Sequence, residues 1–318
     1  MTDQVKFGVR IHQRGYSYEA LKEVWTEADR LGYYSGTLMD LLNSPVLECW
    51  TTLSALAAVT ERIRLTPMVL ANFYRPPALL AKMSSTLDVI SGGRLELGIG
   101  AGGGRGDHLA SGYSFPSTAV RIRMLEEGLE VIKKLWTGER VDHQGRFYQL
   151  EQAVNEPKPV QQPHPPVLIG GHGERHLLRA VANHADICNI GSEMSLDEHR
   201  AKLGVLEEHC REIGRDPAEI EVTHNTRVVI AETRAEFDRT AARAAASADM
   251  TVDAYKQSLK GAVAGTPEEC IEKLDSYVAA GIRYFFLIFP DPVSTESLRL
   301  FAERVMPHFA PAESSSEP

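Results

Sequence analysis

The sequence predicts an α/β protein, a (β/α)8 TIM barrel with insertions after its fourth strand. Along 318 residues, about eight short apolar segments with strand character alternate with helical ones, which is the arithmetic of that barrel. Arg62 to Gly104 holds one complete strand–helix–strand unit, whose short links imply a right-handed crossover between parallel strands. The same alternation resumes after the proline-rich stretch EPKPVQQPHPP, so that stretch reads as an insertion and not as a domain boundary. A doubly wound open sheet is the alternative.

Taken in order, VKFGVRI opens as the first strand. In YEALKEVWTEADRLG, Leu21, Val24, Trp25, Ala28 and Leu31 share one helical face, with Gly32 as the cap. YYSGTLM is the second strand and ECWTTLSALAAVT a largely buried helix. IRLTPMVL is the third strand. Pro76 and Pro77 stand where a helix start tolerates proline, Leu79, Met83, Leu87 and Ile90 recur at helical spacing, and Gly92-Gly93 stops the helix. RLELGIG alternates as a fourth strand. AGGGRGDHLASGYSFPS lacks periodicity and reads as a long glycine-rich loop. Leu125, Leu129, Ile132 and Leu135 form the seam of the next helix, and RVDHQGRFYQL reads as a hairpin turning near Gln144-Gly145.

VLIGG, ADICNIG, EIEVTHNTRVVIAE and IRYFFLIF supply strands five to eight, with helices between them. Thr266, Pro267 and Glu269 form a capping box before the last of those strands. One domain is expected over residues 1–309, with insertions near 101–116 and 137–164 and a disordered tail over 310–318.

Hydrophobic and charged contents of 43% and 24% are those of an ordinary globular protein. No apolar run approaches the ~20 residues of a membrane span, and MTDQVKFGVR lacks a secretory apolar core. A cytoplasmic protein is expected. The net charge of −9 without a Lys/Arg block gives no support to nucleic-acid or membrane partners. Cys49, Cys188, Cys210 and Cys270 form no CxxC pair and read as buried thiols, with neither a disulfide framework nor a cysteine zinc site.

Barrel enzymes carry their sites on the loops after the strands. That rim presents His12, Gln13, Asp40, Asn72, Tyr74, Arg75, Arg105, Asp107, His108, Gly170 to Gly173, Cys188, Asn189, His224 and Asn225. Gly170-Gly171-His172-Gly173 ahead of a helix is the best local signal, since glycines admit a ligand to the backbone and first-turn amides attract phosphate. His172 and His176 lack a third ligand, so no metal site is expected. Gly98 to Gly103 matches G-x-G-x-x-G, but the glycine-rich stretch after it reads as loop where a dinucleotide fold needs a helix. No G-x-S-x-G elbow or paired-carboxylate site stands out. Such a rim fits a protein whose cofactor supplies the reactivity.

TTLSALAAVTERIRLTPMVL, RPPALLAKMSSTLDVISGGRLELGIGAG and PVQQPHPPVLIGGHGERHLLRAVANHAD together resemble the luciferase-like monooxygenase superfamily. The branch most similar is the one dependent on coenzyme F420, a deazaflavin. The resemblance implies a (β/α)8 barrel, a homodimer, a small-molecule substrate, and F420 or alternatively FMN as cofactor, reduced by a separate flavin or F420 reductase system. With F420 the expected chemistry is hydride transfer to or from an organic substrate; with reduced FMN and O2 it is monooxygenation. A catalytically idle flavin-binding barrel is a further alternative. The bent third strand beside the ring would fall in Pro67, Met68 and Val69, commonly with a non-proline cis bond. Gly170, Gly171, His172 and Gly173 would receive the phosphate, Cys188 and Asn189 would lie near the cofactor's side chain, and Asp40 would lie near the ring. His12, Asn72 and His224, with Asp40, are the candidates for orienting substrate or relaying a proton. Two departures stand out: Leu41 follows Asp40 where many members carry a substrate-acting histidine, and the aromatic residue that often follows GIGAG is missing.

Overall fold

The computed structural model describes residues 4–171, 173, 176–290 and 294–311. In chain order its elements are β1 (Lys6–Arg10), α1 (Tyr18–Arg30), β2 (Ser35–Leu38), α2 (Cys49–Ala57), β3 (Arg64–Pro67), β4 (Leu70–Ala71), α3 (Pro77–Ser91), β5 (Leu97–Gly100), α4 (Arg105–Ala110), α5 (Thr118–Thr137), β6 (Val141–Gln144) and β7 (Gln149–Ala153). They continue as β8 (Val167–Gly171), α6 (Leu177–His184), β9 (Ile187–Ile190), α7 (Leu196–Ile213), β10 (Glu221–Ile230), α8 (Arg234–Ser247), α9 (Val252–Ser258), β11 (Val263–Gly265), α10 (Pro267–Ala279), β12 (Tyr284–Ile288) and α11 (Glu296–Arg304).

The parallel path runs β3-β2-β1-β12-β10-β9-β8-β5-β4. Its two ends belong to one strand: β3 and β4 are halves of the third barrel strand, separated by a cis peptide bond between Met68 and Val69. A parallel bridge between Leu65 and Leu95 brings β3 beside the start of β5 and completes the ring. That closure rules out the open doubly wound sheet.

Strand side chains alternate between the barrel interior and the helix layer. Met68, Leu168, Ile187, Tyr284 and Phe286 fill the interior, while their strand neighbours join the larger cluster beneath the helices. Buried Glu96 closes the bottom, accepting from Arg64 Nε (2.9 Å), Thr66 Oγ1 (2.7 Å) and the Tyr284 hydroxyl (2.9 Å). A buried carboxylate needs such partners to offset its lost hydration.

The helices follow the predicted seams, with one exception. Leu125, Leu129, Ile132 and Leu135 of α5 are buried, and so are Leu21, Val24, Trp25 and Ala28 of α1. In α3 the packed face is instead Leu80, Ala81, Ser84, Leu87 and Asp88. Leu79 and Ile90 are 51% and 56% exposed, so the apolar spacing there marks an outward stripe. The hairpin of β6 and β7 is antiparallel, and Glu127 of α5 pins it by accepting the amides of Phe147 (2.9 Å) and Tyr148 (2.8 Å).

Three elements were not legible. The glycine-rich segment contains α4, where tertiary contacts override weak propensity: His108 is boxed by Tyr74 and Phe115, each with ring centroids 4.9 Å away. A helix thus does follow the G-x-G-x-x-G match, but the closed barrel leaves that motif no dinucleotide-binding sheet. α9 and β11 lie between α8 and α10, and β11 pairs with the last three residues of β10, Val228 to Ile230.

Closure leaves no room at Gly98, where an added Cβ would run into the Pro67 carbonyl oxygen. Gly98→Ala is expected to cost about 1–3 kcal/mol by overpacking, measured by urea unfolding. An unchanged midpoint would show that the β3–β5 seam can yield.

Candidate active site

Two adjoining hollows of about 430 and 420 Å³ open at the C-terminal ends of the strands. Met39, Met68, Val69, Gly170 and Gly171 line both, so the split third strand and the end of β8 form their junction. The first hollow continues over Ala71, Gly100 to Gly104, Ile122 and Leu177; the second over Arg10, His12, Asn189, Ser192, Asn225 and Ile288. Each falls in the size range of small-molecule sites. Glycine is required at the junction, because a Cβ on Gly170 would stand 2.8 Å from Val69 Cγ1. The backbone there is bare, and an apolar planar ring can lie against it.

A clamp holds this corner together. The Asp40 carboxylate takes both arms of Arg75 (2.9 and 3.0 Å) and the Ala71 amide (2.9 Å). Arg75 also reaches Glu48 (2.6 Å), which caps α2 through the amides of Trp50 and Thr51. Burial alone would lower the Arg75 guanidinium, but the two carboxylates outweigh it and hold it above its ordinary value. Gln13 adds a two-way bond to the Met39 backbone, donating at 2.6 Å and accepting at 3.0 Å. Asp40 therefore borders the first hollow as a positioning group whose two oxygens are engaged.

The structure sorts the sequence-derived candidates by strand face. Met68, Val69, Gly170, Gly171, Gly173, Asn189 and His12 line the cavity. His172 lies outside the described residues. Pro67 sits next to the wall without lining it. Cys188, expected near the cofactor, is buried in the helix layer, because its neighbour Asn189 faces inward. His224, expected to touch substrate, likewise faces outward: its Nδ1 lies 2.8 Å from His199 Nε2 and its ring stacks on Tyr277 at 4.2 Å. Asn72, also expected there, turns away toward Tyr148 and Gly128 on the hairpin and α5 side. His12 is exposed at the rim, and its Nδ1 accepts the Arg14 amide at 3.3 Å, which leaves Nε2 to carry the proton of the neutral ring.

Two arginines at the cavity escaped the sequence reading. Arg121 of α5 lines the first hollow, bonded to the Pro116 carbonyl (2.7 Å) and lying 4.0 Å over the Phe115 ring, with burial pushing its guanidinium down. Arg10 lines the second hollow. Its signal was present: Gly8, Arg10 and His12 share one parity, and a charge ending an apolar strand points into the mouth.

A (β/α)8 barrel with a glycine-walled double hollow at its mouth has the form of a small-molecule site. The chain belongs to the luciferase-like monooxygenase family, whose model matches residues 2–264. An F420-dependent glucose-6-phosphate dehydrogenase of Microbacterium testaceum is 26% identical, over 96% of this chain and 98% of that protein. An FMNH(2)-dependent dimethylsulfone monooxygenase of Pseudomonas putida is 28% identical, over 70% of this chain and 60% of its own. The F420-dependent tetrahydromethanopterin reductase of Methanopyrus kandleri shares the fold, with a TM-score of 0.77 at 19% identity over 96% of this chain and 100% of that one. The chain is an enzyme of a family with both F420- and FMN-dependent members. No described helix is long and apolar enough to cross a membrane.

Removing one partner of a buried pair strands the other charge. Asp40→Ala should therefore cost about 3–5 kcal/mol in urea unfolding, and a loss within error of zero would show the clamp is dispensable. The two outward histidines set a pH dependence. Burial, then His199 and Lys273, push His224 down to about 3; burial pushes His199 down to about 4 despite the opposing Glu198 charge, against 6.5 when unfolded. The unfolded chain binds more protons between those values, so their contribution is full above about pH 6.5 and is lost as pH falls toward 3. A His199→Gln/His224→Gln double variant should show a flatter fall in stability between pH 6.5 and 4 than the parent; parallel curves would contradict this assignment.

Proposed function

We propose that the protein is an F420-dependent oxidoreductase that moves a hydride to or from a small organic substrate. The observation that carries this is the junction: an apolar, glycine-walled corner at Met68–Val69 and Gly170–Gly171, in hollows whose described lining carboxylates are Asp40, engaged by Arg75, and Asp107. The fit to a deazaflavin is physical. Met39, Met68 and Val69 offer apolar surface to a ring, Gly170 and Gly171 leave it backbone to rest on, and Arg121 gives an anionic chain a cation in the same hollow. The nearly full-length match to an F420-dependent relative favours this cofactor. FMN is the second reading, supported by the FMN-dependent relative.

Bound deazaflavin supplies a ring carbon that accepts or gives a hydride. The chain's work is to hold the ring, align the substrate over it and handle the proton. Of His12, Asn72 and His224, His12 alone reaches the cavity, and its Nε2 is the nitrogen suited to proton transfer. Leu41, where many members carry a substrate-acting histidine, argues against sugar-phosphate oxidation by the scheme of such relatives. Reduced cofactor would come from a separate reductase system. Leu79, Val89 and Ile90, exposed on α3, support a homodimer, for which light scattering is the test.

Titration with oxidised F420 and with FMN, following each cofactor's fluorescence, separates the readings. Saturable F420 binding without FMN binding is expected. FMN binding alone would support the monooxygenase, and binding of neither would overturn both. His12→Ala should lower turnover by about 100-fold or more with cofactor affinity unchanged; an unaffected rate would remove it as the proton carrier.

A further inference from the structure

The second hollow holds a charge that nothing in the described protein answers. Arg10 ends β1, and the parity that sets Gly8 against Ser35 and Phe286 carries its side chain into the barrel mouth. It is half-buried, and burial depresses its guanidinium with no carboxylate to offset the effect. Three other arginines sunk around the barrel are satisfied: Arg64 by Glu96, Arg75 by Asp40 and Glu48, Arg94 by the carbonyls of Ala57, Thr60 and Ile63. Arg121 in the first hollow, like Arg10, has no carboxylate, and its Nε lacks a partner among the described residues. The Arg10 side chain has no hydrogen bond or ion pair among the described residues. Its polar neighbours Asn189, Ser192 and Asn225 are neutral, and no described residue lining this hollow is acidic, in a chain of net charge −9.

A guanidinium held partly out of water without a partner is costly, and its planar fork matches a carboxylate or a phosphate. We infer that Arg10 anchors an anionic group, carboxylate or phosphate, on the substrate. This rests on the reading above that the cofactor ring occupies the junction of the two hollows. Arg121 serves the first hollow and Arg10 the second, so the cofactor's anionic chain and the substrate's anion have separate cations, with Met68–Val69 and Gly170–Gly171 between them. Asn189 and Asn225 are locked to each other through two bonds of 3.1 Å, and Asn225 also donates to the Gly191 carbonyl at 2.7 Å. They form a fixed polar wall beside the junction, Asn189 being the strand partner of Gly170. A substrate anchored at Arg10 lays its uncharged end over the ring, within reach of His12.

Fluorine NMR reads this without turnover. The probes are 4-fluorobenzoate, 4-fluorophenyl phosphate and neutral 4-fluorobenzyl alcohol, added at fixed ionic strength to protein loaded with whichever cofactor binds, or to the protein alone if neither does. At least one anionic probe should bind more tightly than the alcohol, and which one tells carboxylate from phosphate. Arg10→Met should weaken that probe by about tenfold or more while cofactor affinity holds; Arg121→Met should do the reverse. If Arg10→Met does not fold, Arg10→Lys is read instead, with a partial loss expected because the charge stays and the fork goes. Equal binding of all three probes, or anion binding indifferent to Arg10, overturns the inference. So does lost cofactor affinity in Arg10→Met with the probes unaffected, which would give Arg10 to the cofactor. Failure of both cofactors to bind, with probe binding still dependent on Arg10, would sink the function proposed above and leave the anion site standing.

Discussion

The mouth of the barrel depends on the buried ion pair between Asp40 and Arg75. Asp40 follows β2, Ala71 ends the second half of the split strand, Arg75 precedes α3, and Glu48 starts α2. One carboxylate and one guanidinium thus tie two successive βα links to a common point. Buried pairs of this kind add little net stability over an apolar replacement, yet they fix geometry because half-satisfaction is so unfavourable. Here the geometry fixed is the wall at Met68 and Val69, where the two hollows meet.

That wall stands between unlike compartments. On one side, glycines and Arg121 suit an extended ligand with an anionic chain. On the other, Arg10, His12 and a locked amide pair suit a small polar molecule. Neither side offers an activated nucleophile, which is consistent with a protein that orients reactants and leaves bond-making to a bound ring. The strongly perturbed histidines, His199 and His224, belong to the helix layer and bear on stability against acid rather than on chemistry.

The fold was legible because βα punctuation is local: capping residues, prolines at helix starts and glycines at helix ends mark each unit in a short window. The Thr266 capping box is an instance, its amide donating to Glu269 at 2.8 Å. The site was legible in its backbone, at Met68–Val69 and the Gly170 loop, and much less in its side chains. Cys188 and Asn189, or His224 and Asn225, are adjacent in sequence but face opposite ways, and rim proximity alone does not choose between them. Strand parity would have: a strand that sends Asn189 inward must send Cys188 out. The α3 stripe misled for a related reason, since helical spacing identifies a face without saying whether protein or solvent covers it. α4 could not be read at all, because six residues flanked by glycine owe their helix to the aromatic contacts of His108.

The placement of the ring is what the site and its two arginines both rely on. A crystal structure with oxidised F420 bound, or FMN if that is the cofactor retained, tests it most directly. The ring is expected against Met68 and Val69 with Gly170 and Gly171 beneath it, its anionic chain toward Arg121 and the Arg10 hollow open beside it. A ring bound away from that junction, or a cofactor chain ending on Arg10, would contradict the placement.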